Sequence, residues 1–459
     1  MANSIVTVNV SQTVAPTPST LQKTGAFISQ GATTTAPGTY SLLTQLSDLT
    51  PILTGALALS GLAYATGIVT ATTALPHGFT NGDIMPLTIL GALPSGYNGT
   101  YTCTITGAST FTYPVGGALA TATAYGSYTP EDVAELVAMS TTFFAQGSQQ
   151  AVYVLELGAG NATDGATYLT SWITANPGVF YSYLVPRTWD ANATFLTLIQ
   201  SFENTTAKTY FFVTTTTGTY TSYTALMKCV FAMIEAPART STEFSCASAF
   251  WVTLNYNPSN TNKVTPTSFS YVFGVTPYPT KGNAALLTTL KNASINIIGT
   301  GAEGGISIAV LLWGTTADAN DFTYWYSVDW VQINVDLNVS NAIINGSNNP
   351  INPLYYNQSG IDRLEQVVAN TMTSGVTFGL VLNPVIQAGF DGPALAAALD
   401  AGTYIGKTVV NAVPFIPYSI ANPGDFKIGK YAGLSVIYTP NRGFISIIFN
   451  VNVSQFAAS

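Results

Sequence analysis

The chain has 459 residues, which predicts two or three domains, and its 47% hydrophobic content with 25 tyrosines and 23 phenylalanines excludes a disordered or fibrous protein. Only 7% of the residues are Asp, Glu, Lys or Arg, against roughly 25% in ordinary soluble domains, and such a weakly charged surface favours dense packing of identical copies. The net charge of −8 argues against nucleic acid as a direct partner, because proteins that bind nucleic acid collect Lys and Arg on one face.

The first predicted element is a strand at the N-terminus. It begins at Ile5 and places Val6, Val8 and Val10 on one face, with small polar residues on the other. Alternation with a period of two is typical of a half-buried strand. The strand belongs either to a sheet of its own domain or, as an exchanged arm, to the sheet edge of a neighbouring subunit. A Pro/Thr/Ser-rich tether follows, and we assign residues 1–24 to an extended N-terminal arm.

Residues 60–128 are predicted to form an inserted, small all-β module. Short alternating runs, such as Ile84 to Leu90, are separated by turn signals, such as Asn81-Gly82-Asp83. The module contains the only histidine of the chain, His77. We interpret His77 as a turn residue rather than a catalytic base, because a base needs a partner geometry for which the surrounding sequence offers no sign.

After the module, helices and strands alternate. Thr129-Pro130-Glu131 has the signature of a helix start, with a capping residue, a proline at the first helical position and an acid in the first turn. The expected elements are a helix to residue 147, a strand at 151–155, a helix at 164–175, a strand at 179–185, a helix capped near Asp190, a strand at 210–214 and a helix at 220–235. This alternation predicts a parallel, helix-covered sheet in residues 129–267.

From about Ser268 onward the pattern predicts mainly strands, with one strongly amphipathic helix and a shorter one at 393–400. The amphipathic helix runs from Ile361 to Met372, and its polar faces carry Asp362, Arg363, Glu365 and Gln366. The chain ends in a second alternating segment, whose apolar members are Ile445, Ile447, Phe449, Val451 and Val453.

Together these elements predict an α/β (α+β) multidomain fold. Its core comprises residues 25–59 and 129–439, divided into the α/β middle at 129–267 and a strand-rich C-terminal part at 268–439. The all-β module is inserted at 60–128, and residues 440–459 form a C-terminal strand arm.

The sequence predicts no catalytic, cofactor-binding or metal site. One histidine cannot supply a zinc site built on several histidines, and Cys103, Cys229 and Cys246 lack metal-type spacing, so we expect buried, reduced thiols. The run from Gly299 to Gly304 matches a dinucleotide fingerprint, but a strand follows where the motif requires a helix, so we expect a hairpin. We expect no signal peptide and no membrane insertion, because no basic segment precedes an apolar one and no apolar run approaches ~20 residues.

The C-terminal half resembles a known family. Leu290-Lys291-Asn292 with Ile295-Asn296-Ile297-Ile298 is similar to a helix end and buried strand of contractile phage tail sheath proteins, a family that includes the sheaths of R-type pyocins and type VI secretion systems. Leu312-Trp313-Gly314, the aromatic run at 322–326, the helix from Ile361 and a strand ending at 415–418 complete the pattern. The opening residues resemble a divergent branch of phage sheaths, and the 60–128 insert resembles a small β-module of phage virion proteins.

The resemblance implies a structural subunit without enzymatic activity or cofactor. Such subunits polymerise with themselves as stacked hexameric rings around a tail tube, meet baseplate and tail terminator proteins, and contract to drive the tube through the host envelope for genome delivery. The resemblance also implies exchange of both terminal arms between subunits and a tube-facing helix, for which Asp362, Arg363, Glu365 and Gln366 are the candidate contacts. The implied location is the virion tail, after synthesis in the host cytoplasm.

Two alternatives stay open from the residues alone. The first is another virion structural protein, such as a tail tube, fibre or decoration protein, although an α/β middle of this length fits a tube or a fibre poorly. The second is a tail-associated glycan depolymerase, which would require two carboxylates facing each other in a cleft.

Overall fold

A computed structural model describes residues 21–79, 81–147, 150–203, 208–224, 228–280, 282–302, 306–402 and 406–445. The described chain divides into two compact units. The larger, which we call the α/β unit, contains Leu21–Asn257, Val264–Tyr326 and residues 442–445. The smaller, which we call the C-terminal unit, contains Pro258–Lys263 and Ser327–Asn441.

The α/β unit begins with two strands of its main sheet and then enters a small barrel. The two sheet strands are β1 (Gly25–Ser29) and β2 (Tyr40–Leu43). Six strands close the barrel in the order β3-β4-β7-β6-β5-β8. They are β3 (Leu57–Ala65), β4 (Ile68–Thr73), β5 (Ile84–Leu90), β6 (Gly99–Gly107), β7 (Thr110–Pro114) and β8 (Ser127–Pro130). Buried and exposed residues alternate along β4 and β5, so the inward faces build a separate hydrophobic core, as expected for an all-β module.

The rest of the α/β unit alternates helices with strands. Its elements are α1 (Glu131–Gln146), β9 (Val152–Glu156), α2 (Ala162–Ala175), β10 (Ser182–Leu184), α3 (Ala193–Phe202), β11 (Tyr210–Thr215), β12 (Val230–Ile234), α4 (Ser245–Leu254), α5 (Ala284–Asn292), β13 (Asn296–Ala302) and β14 (Ile306–Leu312). The sheet order is β14-β13-β12-β11-β10-β1-β9-β2, with parallel pairing from β13 to β9 and an antiparallel strand at each edge. The predicted parallel, helix-covered sheet is confirmed.

The central strands are buried along their whole length. Every residue of β11 and β12 is buried, which is the pattern of strands covered on both faces.

The helices α2, between β9 and β10, and α3, between β10 and β11, start at asparagine caps. The Asn161 side chain accepts hydrogen bonds from the amides of Thr163 and Asp164, and Asn192 caps α3 in the same way.

A long helix, α6 (Phe322–Ser347), starts in the α/β unit and continues as the first helix of the C-terminal unit. The other elements of the C-terminal unit are α7 (Gln358–Thr377), β15 (Val385–Ala388), α8 (Gly392–Asp400), β16 (Thr408–Ala412), α9 (Phe415–Ala421), α10 (Pro423–Lys427) and β17 (Leu434–Ile437). Its sheet has the order β15-β16-β17, in which β15 is parallel and β17 antiparallel to β16. No helix in the described part of the chain is long and apolar enough to cross a membrane.

Three element predictions were wrong. The helix expected at 220–235 is a short 3₁₀ turn (Tyr220–Tyr223) followed by β12, because a short, fully buried apolar run has no periodicity that separates helix from strand. Residues 322–347, where mainly strands were expected, form α6. The strand expected to end at 415–418 is the helix α9, since β16 ends at Ala412 and Pro414 begins the next helix.

Candidate assembly surfaces

The base of the C-terminal arm is attached to the α/β unit. The Gly443 amide donates a hydrogen bond to Asp321 Oδ2 at 2.9 Å. The Arg442 guanidinium lies 4.7 Å from the centre of the Tyr324 ring, in cation–π geometry. Ile445, the one predicted arm residue within the described range, packs against the hydrophobic core of the main sheet. Three different kinds of contact therefore hold residues 442–445.

The niche around Gly443 admits only glycine without rearrangement. A Cβ atom at this position would lie 2.5 Å from Pro266 Cβ and 3.1 Å from Asp321 Oδ2, and it would also overlap Ser268 Oγ. Asp321 itself is buried, with 2% of its surface exposed. Burial raises the pKa of Asp321, and the hydrogen bond from the Gly443 amide acts in the opposite direction, because it stabilises the carboxylate.

The other predicted arm residues lie outside the described residues. These are Ile5, Val6, Val8 and Val10 of the N-terminal arm and Ile447, Phe449, Val451 and Val453 of the C-terminal arm. Their exchange between subunits stays a prediction.

The candidate tube-facing residues all lie on α7, but most of their polar groups are engaged within the subunit. Asp362 Oδ1 accepts a hydrogen bond from Gln358 Nε2 at 2.6 Å. Arg363 Nη1 donates to the Pro353 carbonyl at 3.2 Å. Glu365 is half-buried, and both burial and the neighbouring Asp362 charge raise its pKa. The sequence therefore placed these charges on one helix correctly, but it did not show that they pair locally.

Gln366 lies where α7 changes from charged side chains to uncharged polar ones. Its Nε2 donates to Asn370 Oδ1 at 2.9 Å, and its Oε1 accepts from Gln387 Nε2 at 3.3 Å.

The helix α6 has a polar face that the sequence analysis missed. This face carries Asn334, Asn338, Asn341 and Asn345 at helical spacing. The spacing was visible in the sequence, but it has meaning only if residues 322–347 are known to be helical.

The sheet of the C-terminal unit has two edge strands. Within the described residues, β15 and β17 each pair with β16 only. An edge strand presents main-chain amides and carbonyls that another strand can pair with. These edges are therefore the surfaces of this unit that are chemically suited to accept an extended arm.

A cavity of about 400 Å³ lies at the carboxyl ends of β1, β9 and β10, where ligands bind in many parallel sheets. Its polar side chains bond one another. Asn161 Nδ2 donates to Asp83 Oδ1 at 2.6 Å, and Gln30 Nε2 donates to the Asn161 carbonyl at 2.7 Å. The bond between Asn161 and Asp83 joins the barrel to the segment before α2, and the bond from Gln30 joins that segment to the end of β1.

The buried carboxylates at the ends of β12 and α1 are paired with arginines. Arg187 Nε and Nη2 donate to the two oxygens of Glu235 at 2.7 and 2.9 Å, and Arg239 Nε lies 2.8 Å from Glu235 Oε2. Arg187 Nη1 also lies 3.3 Å from Glu135 Oε1. Bidentate pairing of this kind neutralises the carboxylates and fixes their geometry, which is a structural role.

The other residues singled out for chemistry also have structural surroundings. His77 is buried in the barrel, where its Nδ1 accepts a hydrogen bond from the Phe79 amide at 3.1 Å, and burial lowers its pKa. Gly299 and Gly301 lie within β13, and the next element is the antiparallel strand β14. The three cysteines are free and buried, as expected, and burial raises the pKa of Cys103 to about 12. Among the described residues, no group of three or more His, Cys, Asp or Glu side chains is placed to hold a metal ion.

Neither a family model nor a curated protein matches this chain. Solved structures do match. A chain of the six-fold symmetrised anti-feeding prophage baseplate aligns with 99% of this chain and 100% of its own length, at a TM-score of 0.52 and 12% identity. The chain therefore shares its fold with that baseplate chain.

Two further solved structures align with this chain at lower TM-scores. The contracted helical sheath of the anti-feeding prophage aligns with 98% of this chain and 99% of its own, with a TM-score of 0.48 and 10% identity. A sheath tail protein of Listeria innocua aligns with 78% of this chain and 85% of its own, with a TM-score of 0.39 and 10% identity.

Proposed function

We propose that this chain is the repeating subunit of a contractile tail sheath. The observation that carries the proposal is the match of its fold, end to end, with a chain of a contractile particle's baseplate. The low charge supports it, because subunits with 7% charged residues repel one another weakly when they pack side by side.

In this proposal the subunits stack as hexameric rings around a tail tube, between a baseplate and a tail terminator. The extended polymer is metastable, and a trigger at the baseplate lets the rings rotate and compact. The added contact between subunits drives the tube through the host envelope, so that the genome enters. The chain acts mechanically in the virion tail and catalyses no reaction.

Exchange of the terminal arms keeps the subunits connected while their other contacts change. The two edge strands β15 and β17 support this step, because each pairs on one side only within the described residues and so has an edge to offer an arm with period-two alternation. The fixed base at residues 442–445 supports it too. An arm that is anchored in its own subunit transmits force when its tip is held by a neighbour.

Truncation after Ile445 tests the proposal. Removing residues 446–459 leaves the bond between Gly443 and Asp321 and the packing of Ile445 intact. We expect a soluble chain with the far-ultraviolet circular dichroism and melting temperature of the full chain, but without polymers in sedimentation or electron microscopy. If the truncated chain forms polymers in the same yield as the full chain, the result contradicts arm exchange.

A further inference from the structure

Asp321 is a buried carboxylate that joins the start of α6 to the base of the C-terminal arm. Its Oδ1 accepts a hydrogen bond from the Thr323 amide in the first turn of α6 at 3.4 Å, and its Oδ2 accepts one from the Gly443 amide at 2.9 Å. Only 2% of the Asp321 surface is exposed. One carboxyl group, shielded from water, therefore serves both the helix and the arm base.

The charge of this carboxylate has no counter-ion. Within the described part of the chain, no Lys or Arg side chain forms an ion pair with Asp321. Arg442 places its guanidinium over the Tyr324 ring instead, and Lys228 lies over the Trp325 ring. A buried carboxylate without a cation is costly in its ionised form.

The other titratable groups around Asp321 do not offset its charge. Burial raises the pKa values of Tyr256 and Tyr326, whose rings pack together, so both stay neutral. Asp318, on the turn before Asp321, accepts a hydrogen bond from Trp325 Nε1 at 2.8 Å and forms its other bonds within its own turn. The ionised form of Asp321 is therefore stabilised by hydrogen bonds alone.

A second buried carboxylate shows how this chain satisfies an ion more completely. Glu156, with 1% of its surface exposed, accepts five hydrogen bonds at 2.6–3.1 Å, which come from two hydroxyl groups and three amides of Ser29, Gly31, Thr33 and Gly158. Asp321 accepts one amide bond shorter than 3 Å, and the arm base supplies it. Beside Gly443, the buried Ser268 hydroxyl has no hydrogen-bond partner among the described residues. The pocket of Asp321 is therefore less suited to an ion than that of Glu156.

The arm base covers one side of Asp321. A Cβ atom at Gly443 would lie 3.1 Å from Asp321 Oδ2 and 2.5 Å from Pro266 Cβ, so the main chain of Gly443 lies directly on the carboxylate. Separation of residues 442–445 would expose Oδ2 to water and let the carboxylate hydrate. The bound arm base therefore favours the neutral acid, and the separated one favours the ion.

We propose that Asp321 is a proton-dependent latch for the base of the C-terminal arm, in which the neutral carboxyl group holds residues 442–445 and its ionisation loosens them. The latch is a property of the single subunit. It goes beyond the sheath function proposed above and does not depend on it. The strength with which the arm is held at its root then varies with the pH of the surroundings.

The direction of the effect follows from the two states of Asp321. Burial raises its pKa above the ordinary 3.8 while the arm base is bound, and hydration returns the pKa toward that value when the base separates. The proton therefore stabilises the bound state. This stabilisation is fully present below the ordinary pKa and is lost as the pH rises through the raised pKa. The arm base is held more tightly in mild acid than at neutral pH.

The test is amide hydrogen exchange of the full chain, resolved to Gly443, between about pH 4 and about pH 8. Each rate is divided by the intrinsic exchange rate at the same pH, which gives a protection factor for the separation of the arm base. The Phe195 amide, which donates to the neutral Asn192 side chain at the start of α3, is the internal reference. Sedimentation at each pH restricts the comparison to samples in the same state of assembly.

Two substitutions make the same chemical change at neighbouring positions. Asp321→Asn keeps the shape of the side chain and an acceptor for the Gly443 amide, and Asn caps a helix as well as Asp does, but it cannot ionise. Asp318→Asn is the matched control, because it removes a carboxylate three positions away whose bonds go to its own turn and to Trp325.

We expect the protection factor of Gly443 to fall about threefold or more across this pH range in the wild type and in Asp318→Asn. In Asp321→Asn it should stay constant, at or above the wild-type value at the neutral end. Protection of Gly443 that is constant or rises with pH in the wild type would overturn the proposal. So would a response that disappears in Asp318→Asn, or an equal fall at Gly443 and Phe195.

The wild-type profile decides the question even where Asp321→Asn fails to fold, because the Phe195 reference separates opening of the arm base from loss of the whole fold. The measurement also separates this proposal from the sheath function. A chain that forms no polymers but shows the pH response of Gly443 contradicts the sheath function alone, whereas polymers without that response overturn the latch alone.

Discussion

Gly443 is the residue on which the base of the C-terminal arm depends most directly. Substitution by Ala forces the new methyl group against Pro266 Cβ, whose ring cannot turn away, and displaces the amide from Asp321. We expect Gly443→Ala to lower the free energy of unfolding by about 1–3 kcal/mol, the usual cost of overpacking. Urea denaturation measures this change, and limited proteolysis should show faster cleavage after residue 442.

The matched control is Gly424→Ala in α10. A Cβ atom at Gly424 meets no atom within 4 Å, and Ala is the better helix former, so stability should stay equal or rise. Equal stability of the two alanine variants would show that the niche at Gly443 relaxes without cost, and the arm base would then not be fixed as described.

The sequence does not predict which single residues contact one another across the chain. Asp321 and Gly443 are 122 positions apart, and no local pattern joins them. The charges of Asp362 and Arg363 were predicted to face a partner. Asp362 is bonded to Gln358 within the same helix, and the bonds of Arg363 depend on where the chain passes at residues 352–353. Side-chain partners across the chain are set by tertiary packing, which one sequence does not reveal.

The barrel is the element that is most nearly independent. Its first and last strands are neighbours, since Leu57 pairs with Tyr128, so the chain enters and leaves at adjacent points. Replacing residues 57–128 by a short Gly/Ser linker should leave a chain that keeps the parallel sheet and still polymerises. The expected cost is about 1–3 kcal/mol, from the lost bond between Asp83 and Asn161 and the packing of Ala159.

Circular dichroism and thermal melting of the chain that lacks residues 57–128 measure this outcome, and the isolated barrel serves as a second sample. The barrel alone should unfold cooperatively, because it has its own core of buried residues. If the chain without the barrel aggregates and loses its helical signal, the barrel is required for folding of the main sheet.

Elements were predictable where local signals agree with the fold. The cap expected near Asp190 identified α3, whose capping residue is Asn192; an apolar run identified β11, and turn residues identified the all-β module. The helix α6 was missed because Val, Ile and Asn dominate its second half, and these residues have low intrinsic helix propensity. Its helical form is supported by packing on α7, as where Trp330 meets Phe378. That packing is invisible in the sequence of α6 alone.

At the scale of the whole molecule, composition and fold agree. A chain with 7% charged residues is suited to a dense polymer, in which surface is buried against further copies, and its fold is shared over 99% of its length with a chain of a baseplate assembly. The fold class was predictable because alternating helices and strands leave few arrangements. The exchange of the arms stays a prediction, because all of the predicted arm residues except Ile445 lie outside the described residues.

Negative-stain electron microscopy of the purified full chain, expressed alone, tests the sheath assignment most directly. We predict hollow, striated cylinders whose lumen is wide enough to enclose a tail tube, and we predict that they are absent for the chain truncated after Ile445. Narrow tubes would contradict the account and indicate a tail tube protein instead. Monomers that persist even when the tube protein is added would contradict it as well.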